Sequence, residues 1–428
     1  MTTEFPVVTP LEYTCPGHRQ SISRAVHLSR MATFYPACRD CAHRDDTHGL
    51  ARTTIVRLAR TQDRVTRNTL FEDEGVRGVH RNELTRRDAD RLVSALAWLC
   101  WQDRPPGIGG DTRTRSSPVI VVGHDTRPAA RDLLAGVLAS LVRSGCRALE
   151  IGSVSDACFR FAVDHLQADA GVRVTGAGRP ASWIGLDAVA GRGRPVSRGA
   201  GLDAWETAAD SGHPRPTRQS GHRRSFQVTE AYEATLRRHL LASRPLAICL
   251  SAPAGTQSDS LTRLLSPLPW NLVHSAARTG TRQQTVAELT RDTGSDLGIT
   301  WDHDGDLATF CDETGATLDP LQLFVLLATR ILSDHPDRAV VLAASCPDHI
   351  TTTVRRLGGR PRTVSGSSRA STWQAIADHD AVLGLDENNS TWFGAHTPTQ
   401  DPLLTVSHLL QTLDRHERPL SELLARNS

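Results

Sequence analysis

Three short apolar runs constrain this chain more than any other feature: Val119 to Val122, Leu246 to Leu250 and Val340 to Ala343. Each ends in a small or polar turn, Gly123-His124-Asp125, Ser251-Ala252-Pro253 and Ser345-Cys346-Pro347, and each turn leads into a helical segment. In the first unit Leu133, Leu134, Val137, Leu138, Leu141 and Val142 line one helix face. Gly145 closes that helix, and a second strand follows at Ala148 to Ile151. Strand, crossover helix, strand is the βαβ unit of a parallel sheet, so the repeat predicts three α/β domains in tandem. A chain of 428 residues has room for several domains of ordinary size.

Charge narrows the function. The 49 basic residues offset 47 acidic ones to a formal net charge of +2, and all 49 are arginine. Near-neutrality removes the simple electrostatic case for a nucleic-acid binder. Without lysine there is no Schiff base, lysine base or lysine phosphate clamp, so any anion must be held by arginine, backbone amides, helix termini or a metal. No apolar run reaches the roughly eighteen residues a membrane span needs. Met1 to Pro10 contains Glu4 and no basic stretch ahead of an apolar one, so a cytoplasmic location is expected. Six of the nine cysteines (100, 146, 158, 249, 311 and 346) lie among apolar neighbours and read as buried small hydrophobes.

Outside the repeat, Cys15-Pro16-Gly17-His18 and Cys38-Arg39-Asp40-Cys41 flank a helical stretch, Ile22 to Ala32. Two such knuckles, each with a two-residue gap, have the spacing of a structural zinc site, with Cys15, His18, Cys38 and Cys41 as ligands and His43 and His48 nearby as alternatives for the fourth. Ordinary reduced cysteines are the other reading of the same pattern. The neighbouring arginines 19, 24, 30, 39 and 44 are interleaved with Asp40, Asp45 and Asp46 rather than with aromatics, which argues against a nucleic-acid module. Residues 51 to 104 read as helical, and Arg104 to Ser117, rich in Pro, Gly and Arg, breaks the pattern. Gly191 to Arg224 reads as a mobile loop or insertion in the first domain. Asp401 and Pro402 start a last helix striped by Leu403, Val406, Leu410 and Leu413, with only a short tail after it.

The sharpest cluster is Asp302-His303-Asp304-Gly305-Asp306, after the strand-like Leu297 to Trp301. Carboxylates at alternate positions of a turn, Asp302, Asp304 and Asp306, can converge on one hard cation such as Mg²⁺; a solvated acidic turn is the plain alternative. A calcium loop of the EF-hand type would put Glu313 at its twelfth position but needs glycine where Leu307 stands, and so fails. In this setting the run resembles the metal loop G-I-A-x-D-G-D-x-D-R of the α-D-phosphohexomutases, the phosphoglucomutase/phosphomannomutase family. Cys311-Asp312-Glu313-Thr314-Gly315 resembles the V-D-E-x-G that follows it. Three more landmarks fall in the family's order: Phe71 to Gly78 (FEDEGVRG) is similar to F-G-T-D-G-I-R-G, Val121 to Arg127 (VVGHDTR) to V-V-G-R-D-T-R, and Gly384 to Phe393 (GLDENNSTWF) to the G-G-E-x-S-G-H sugar loop.

The resemblance covers about residue 68 to the end. It implies an intramolecular phosphotransferase fold of tandem α/β/α domains at 68–240, 241–335 and 336–428, and the Cys/His zinc-binding extension at 1–67 lies outside it. The family moves a phosphate between the 1- and 6-positions of a hexose through a phosphoserine in a T-A-S-H-N-P loop. Here the similar segment is Thr175-Gly176-Ala177-Gly178-Arg179-Pro180, with alanine in the serine's place and Gly178 in the histidine's. Leu307 replaces the arginine that closes the metal loop, and Ser365-Gly366-Ser367-Ser368 replaces the lysine-bearing element. Asp386 and Asn388 stand in the sugar loop, and Arg77 and Arg127 at the family's arginine positions, so these four are the candidate substrate-binding residues. The phosphate-gripping fourth domain is not recognisable in the chain. The expectation is a phosphohexomutase-like protein with an eroded catalytic site, which binds a hexose phosphate or a protein partner, that partner supplying the missing domain. An active mutase using Thr175, Ser182 or a partner's residue as nucleophile is the alternative.

Overall fold

The structure is a computed structural model and describes residues 12–38, 41–62, 69–103, 116–240, 243–251, 256–274, 285–302, 304–394 and 397–427. The expected break at Arg104 to Ser117 lies mostly outside them, as does His303. The chain divides into two compact units, Met1–Leu70 and Phe71–Ser428.

The first unit has a small antiparallel pair, β1 (Glu12–Thr14) with β2 (Ser21–Ser23), and helices α1 (Arg24–Ala32) and α2 (Arg52–Gln62). Ser23 caps α1 with its hydroxyl on the Val26 N–H.

The second unit opens with a hairpin, β3 (Phe71–Glu72) and β4 (Gly75–Val79), where continuous helix was expected from 51 to 104. Helix resumes only at α3 (Arg86–Gln102), which starts on a Thr85/Asp88 capping box. Then follow β5 (Val119–His124), α4 (Ala130–Arg143), β6 (Arg147–Ser153), α5 (Asp156–His165), β7 (Ala170–Thr175), β8 (Trp183–Ala190) and β9 (Arg194–Pro195). The segment expected to be a loop at 191–224 instead carries α6 (Leu202–Ser211) and an edge strand, β10 (His222–Ser225). Leu202, Trp205, Ala208 and Ala209 recur at helical spacing and bury one face. The Trp205 indole donates to the Leu92 carbonyl of α3 at 2.7 Å.

After α7 (Thr229–Arg237) come β11 (Ala247–Ser251), α8 (Thr256–Leu265), β12 (Asn271–His274), α9 (Val286–Thr293), β13 (Leu297–Trp301) and β14 (Ala308–Cys311). The remaining elements are α10 (Pro320–Asp334), β15 (Ala339–Ala343), α11 (Asp348–Arg356), β16 (Arg360–Val364), α12 (Arg369–Asp378), β17 (Leu383–Leu385), β18 (Thr391–Phe393), α13 (Pro402–Arg415) and α14 (Leu420–Asn427). Helix α14 occupies what reads as a short tail. Leu420, Leu423 and Leu424 sit one turn apart and are all buried.

The strand orders make the repeat visible. The sheets run β12-β11-β13-β14 and β16-β15-β17-β18, and the first sheet contains β6-β5-β7-β8, extended by β10, β4, β3 and β9. In each, two parallel neighbours flank the central strand, and the last pair is an antiparallel hairpin. The central strands are the three apolar runs of the sequence. Ile120 to Val122 and Val340 to Val341 have no exposed surface, as expected for strands covered on both faces. The topology therefore places three equivalent hairpin loops, 176–182, 302–307 and 386–390, at the carboxyl ends of the parallel strands, where α/β sheets bind ligands.

Candidate functional site

Loop 176–182 holds the segment that resembles the phosphoserine loop. Ala177 is exposed and has φ 46°, a left-handed conformation costly to a residue with a Cβ. Thr175 is fully buried, its hydroxyl accepting the Ala177 N–H at 3.0 Å, so it acts as a turn cap. Ser182 is exposed.

Arg127, just after β5, reaches beneath this loop. Its Nε and one Nη grip the Asp304 carboxylate at 2.7 and 2.8 Å. The remaining donors bond the carbonyls of Arg179, Pro180 and Trp183 at 2.6, 2.9 and 3.0 Å. All five guanidinium N–H groups are thereby used within the protein. Gly176 makes the passage possible, since a Cβ there would stand 2.0 Å from the guanidinium carbon. Asp125 completes the turn, accepting the backbone N–H groups of Arg127 and Gly176 at 3.0 and 2.9 Å.

Loop 302–307 faces it. Asp304 also accepts the Gly178 N–H. Burial pushes its carboxyl up, but the Arg127 and Gly178 bonds outweigh that and hold it below the usual range. Asp306 is gripped by Arg173 of β7 at 2.6 and 3.1 Å and accepts the Asp156 N–H at 2.9 Å. Burial nevertheless pushes its carboxyl up to about 6. Asp302 turns inward: one oxygen accepts the N–H groups of Asp306 and Leu307 at 2.9 and 3.2 Å, and the other is sealed from solvent without a partner among the described residues. Burial raises this carboxyl as well.

The third repeat completes the ring of charge. Arg369, at the start of α12, bonds Asp156, and its backbone N–H meets Glu74 at 2.9 Å. Burial would raise Asp156, but Arg160 and Arg369 outweigh it and hold its carboxyl far below the usual range. Asp386 is bonded within the third repeat. Its oxygens accept the N–H groups of Asn388 and Ser390, the Trp392 indole at 2.9 Å and the Gln400 amide at 2.6 Å, which fixes loop 386–390. Arg77 is likewise internal, paired with Asp187 in the core. Asn388 is exposed and lines, with Asn389, Ser390 and Asp306, a cleft of about 200 Å³ between the second and third loops.

In the first unit the His18 N–H donates to the Cys15 carbonyl and the Cys41 N–H to that of Cys38. Burial, then the neighbouring Cys15 and Cys41, pushes the Cys38 thiol up. His18 Nε2 lies 3.2 Å from the Tyr35 hydroxyl, and Arg30 donates to the Cys15 sulfur at 3.1 Å. Among the described residues no group of three or more His, Cys, Asp or Glu side chains is placed to share a metal ion. The expected zinc centre is therefore not supported. Of the three aspartates, Asp304 and Asp306 have their oxygens engaged by arginines and backbone amides, whereas Asp302 keeps one buried oxygen without a partner among the described residues.

Spacing pointed to Asp302, Asp304 and Asp306 but missed Arg173, Asp125, Asp156 and Glu74. Arg173 did leave a signal: it is a charge at the centre of Ala170–Thr175, an otherwise fully buried strand. Among the described residues no helix is long and apolar enough to cross a membrane.

Two family models match the chain: phosphoglucomutase/phosphomannomutase alpha/beta/alpha domain I at residues 68–200 and domain III at 319–427. A phosphoglucomutase/phosphomannomutase of Thermococcus kodakarensis is 22% identical over 374 residues, 83% of this chain and 79% of that protein. A phosphoglucosamine mutase of Symbiobacterium thermophilum is 27% identical over 379 residues, covering 83% and 81%. Among solved structures, a phosphoglucomutase/phosphomannomutase family protein of Burkholderia thailandensis shares the fold with a TM-score of 0.71 at 22% identity, covering 83% of this chain and 79% of its own.

Proposed function

Because the chain belongs to the phosphoglucomutase/phosphomannomutase family, we propose that it is a phosphohexomutase-like protein of hexose-phosphate metabolism whose catalytic site is eroded. It binds a sugar phosphate or a protein partner with little or no mutase turnover. One observation carries this reading: the exposed tip of loop 176–182 presents Ala177, a side chain with no oxygen to phosphorylate. The surroundings agree with it. Phosphoryl transfer needs free cationic donors aimed at the moving phosphate, and Arg127, which passes beneath this loop, has no N–H left to offer. The cleft beside Asn388, Asn389 and Ser390 supplies neutral polar groups suited to sugar hydroxyls.

The test is interconversion of hexose 1- and 6-phosphates, followed by phosphorus NMR with Mg²⁺ and a hexose 1,6-bisphosphate primer. The expected result is no exchange above the uncatalysed background, with binding heat for hexose phosphate in calorimetry. Turnover at ordinary enzyme rates, about 1–10³ per second, would overturn the proposal. A working mutase would need another nucleophile. Ser182, exposed at the far end of the same loop, is the candidate the geometry leaves open, and loss of that turnover in Ser182→Ala would identify it.

A further inference from the structure

We infer that Arg127 and Arg173 replace a divalent cation at the Asp302–Asp306 turn, making it a metal-independent, arginine-forked latch between the first and second α/β/α domains. This goes beyond the proposed function and holds whether or not the chain turns over sugar phosphate. The family resemblance implies Mg²⁺ at this turn, and a hard cation of that kind demands several oxygens at about 2.0–2.1 Å in near-octahedral array. Here two guanidinia already neutralise the turn and occupy most of its acceptor sites. Both oxygens of Asp304 accept from Arg127 at 2.7 and 2.8 Å, and both oxygens of Asp306 accept from Arg173 at 2.6 and 3.1 Å. A backbone N–H adds a further bond to each, from Gly178 and Asp156. Asp302 keeps one oxygen without a partner among the described residues, and it is sealed from solvent.

The two guanidinia are anchored on the opposite side of the interface from the carboxylates. Arg127 follows β5 and Arg173 lies in β7, whereas the aspartates follow β13. The Arg127, Arg173 and Asp304 side chains are 6%, 1% and 0% exposed, so solvent screens these pairs little. Arginine suits the task because its planar fork spans both oxygens of a carboxylate, which an ammonium point charge cannot. A dication here would face the Arg127 and Arg173 charges, and displacing Arg127 would strand the Arg179, Pro180 and Trp183 carbonyls that it also satisfies. Leu307, where the family pattern has arginine, is 59% exposed and adds no charge to the turn.

The full-length protein tests this directly. Thermal unfolding would be recorded in millimolar Mg²⁺, in millimolar Mn²⁺ and after EDTA, with Mn²⁺ binding followed separately by electron paramagnetic resonance. The latch predicts one melting temperature in all three conditions and an unperturbed free-Mn²⁺ spectrum. Arg173→Met should melt on the order of 5 °C lower with or without metal. A metal-dependent rise of several degrees in the wild-type protein, abolished by Asp304→Asn, would overturn the inference. So would an Arg173→Met protein as stable as wild type. If Arg173→Met does not fold, the wild-type metal titration alone decides the question.

Discussion

Replacing Arg127 by methionine should be among the most damaging single changes available to this fold, and the cost follows from its contacts. The substitution keeps most of the aliphatic volume but removes the positive charge facing Asp304, whose side chain has no exposed surface. Removing one partner of a buried ion pair costs about 3–5 kcal/mol, because the other charge is left uncompensated. Of the three carbonyls that lose donors, those of Arg179 and Pro180 belong to exposed loop residues that water can reach, whereas Trp183 is buried. One orphaned buried carbonyl adds about 1–3 kcal/mol. The sum, roughly 4–8 kcal/mol, compares with a total domain stability of about 5–15 kcal/mol. Urea unfolding followed by tryptophan fluorescence, in wild type, Arg127→Met, Asp304→Asn and the double variant, gives the coupling directly. Asp304→Asn removes the stranded charge, so the double variant should recover at least 2 kcal/mol relative to additivity. Arg179→Ala is the control: this arginine is 45% exposed, its bond to Glu72 is 2.9 Å long, and its loss should cost under about 1 kcal/mol. If Arg127→Met costs no more than Arg179→Ala, or the two substitutions are simply additive, the latch is not the source of stability argued above.

Gly176→Ala should destabilise by at least about 2 kcal/mol in the same assay, because the new methyl collides with the Arg127 guanidinium; Gly178→Ala, at φ 74° in open space, should cost only the left-handed penalty of about 1–2 kcal/mol. Equal losses would show that Arg127 does not pass beneath Gly176. Ala177→Ser, incubated with hexose 1,6-bisphosphate and weighed as intact protein, should take up phosphate substoichiometrically at most, since Arg127 has no donor left for it; full occupancy would refute this. His408 is buried with an Nδ1 that has no partner among the described residues, and burial, then His239 and Arg330, push it down to about 3. The unfolded chain therefore binds a proton that the fold excludes, and stability is lost as pH falls from about 6.5 toward 3, by up to about 1.4 kcal/mol per pH unit. His408→Leu should flatten that slope, and an unchanged acid transition would show that another group governs it.

The repeat was legible because it rests on local chemistry. Runs of β-branched and aliphatic residues form strands whichever neighbours they find, so the three central strands lie within two residues of where the apolar runs place them. The α13 start was equally plain, because Asp401 and Pro402 act on their own backbone. The misses are of the opposite kind. The hairpin β3–β4 and helix α6 lie in segments whose composition resembles something else, and pairing partners far along the chain decide them: Val76 to Val79 against Trp183 to Leu186, and Trp205 against Leu92.

The acidic turn divides the same way. From sequence alone follow the three aspartates, the alanine where the family has serine, and the absence of lysine, since composition and order need no fold. Only the tertiary structure decides what those carboxylates hold. Asp304 and Asp306 meet arginines 177 and 133 residues away, brought opposite them by the packing of two sheets. A carboxylate binds whichever positive charge reaches both its oxygens with its own desolvation cost offset. Spacing along the chain specifies the ligand's geometry, and only the folded neighbourhood specifies the ligand.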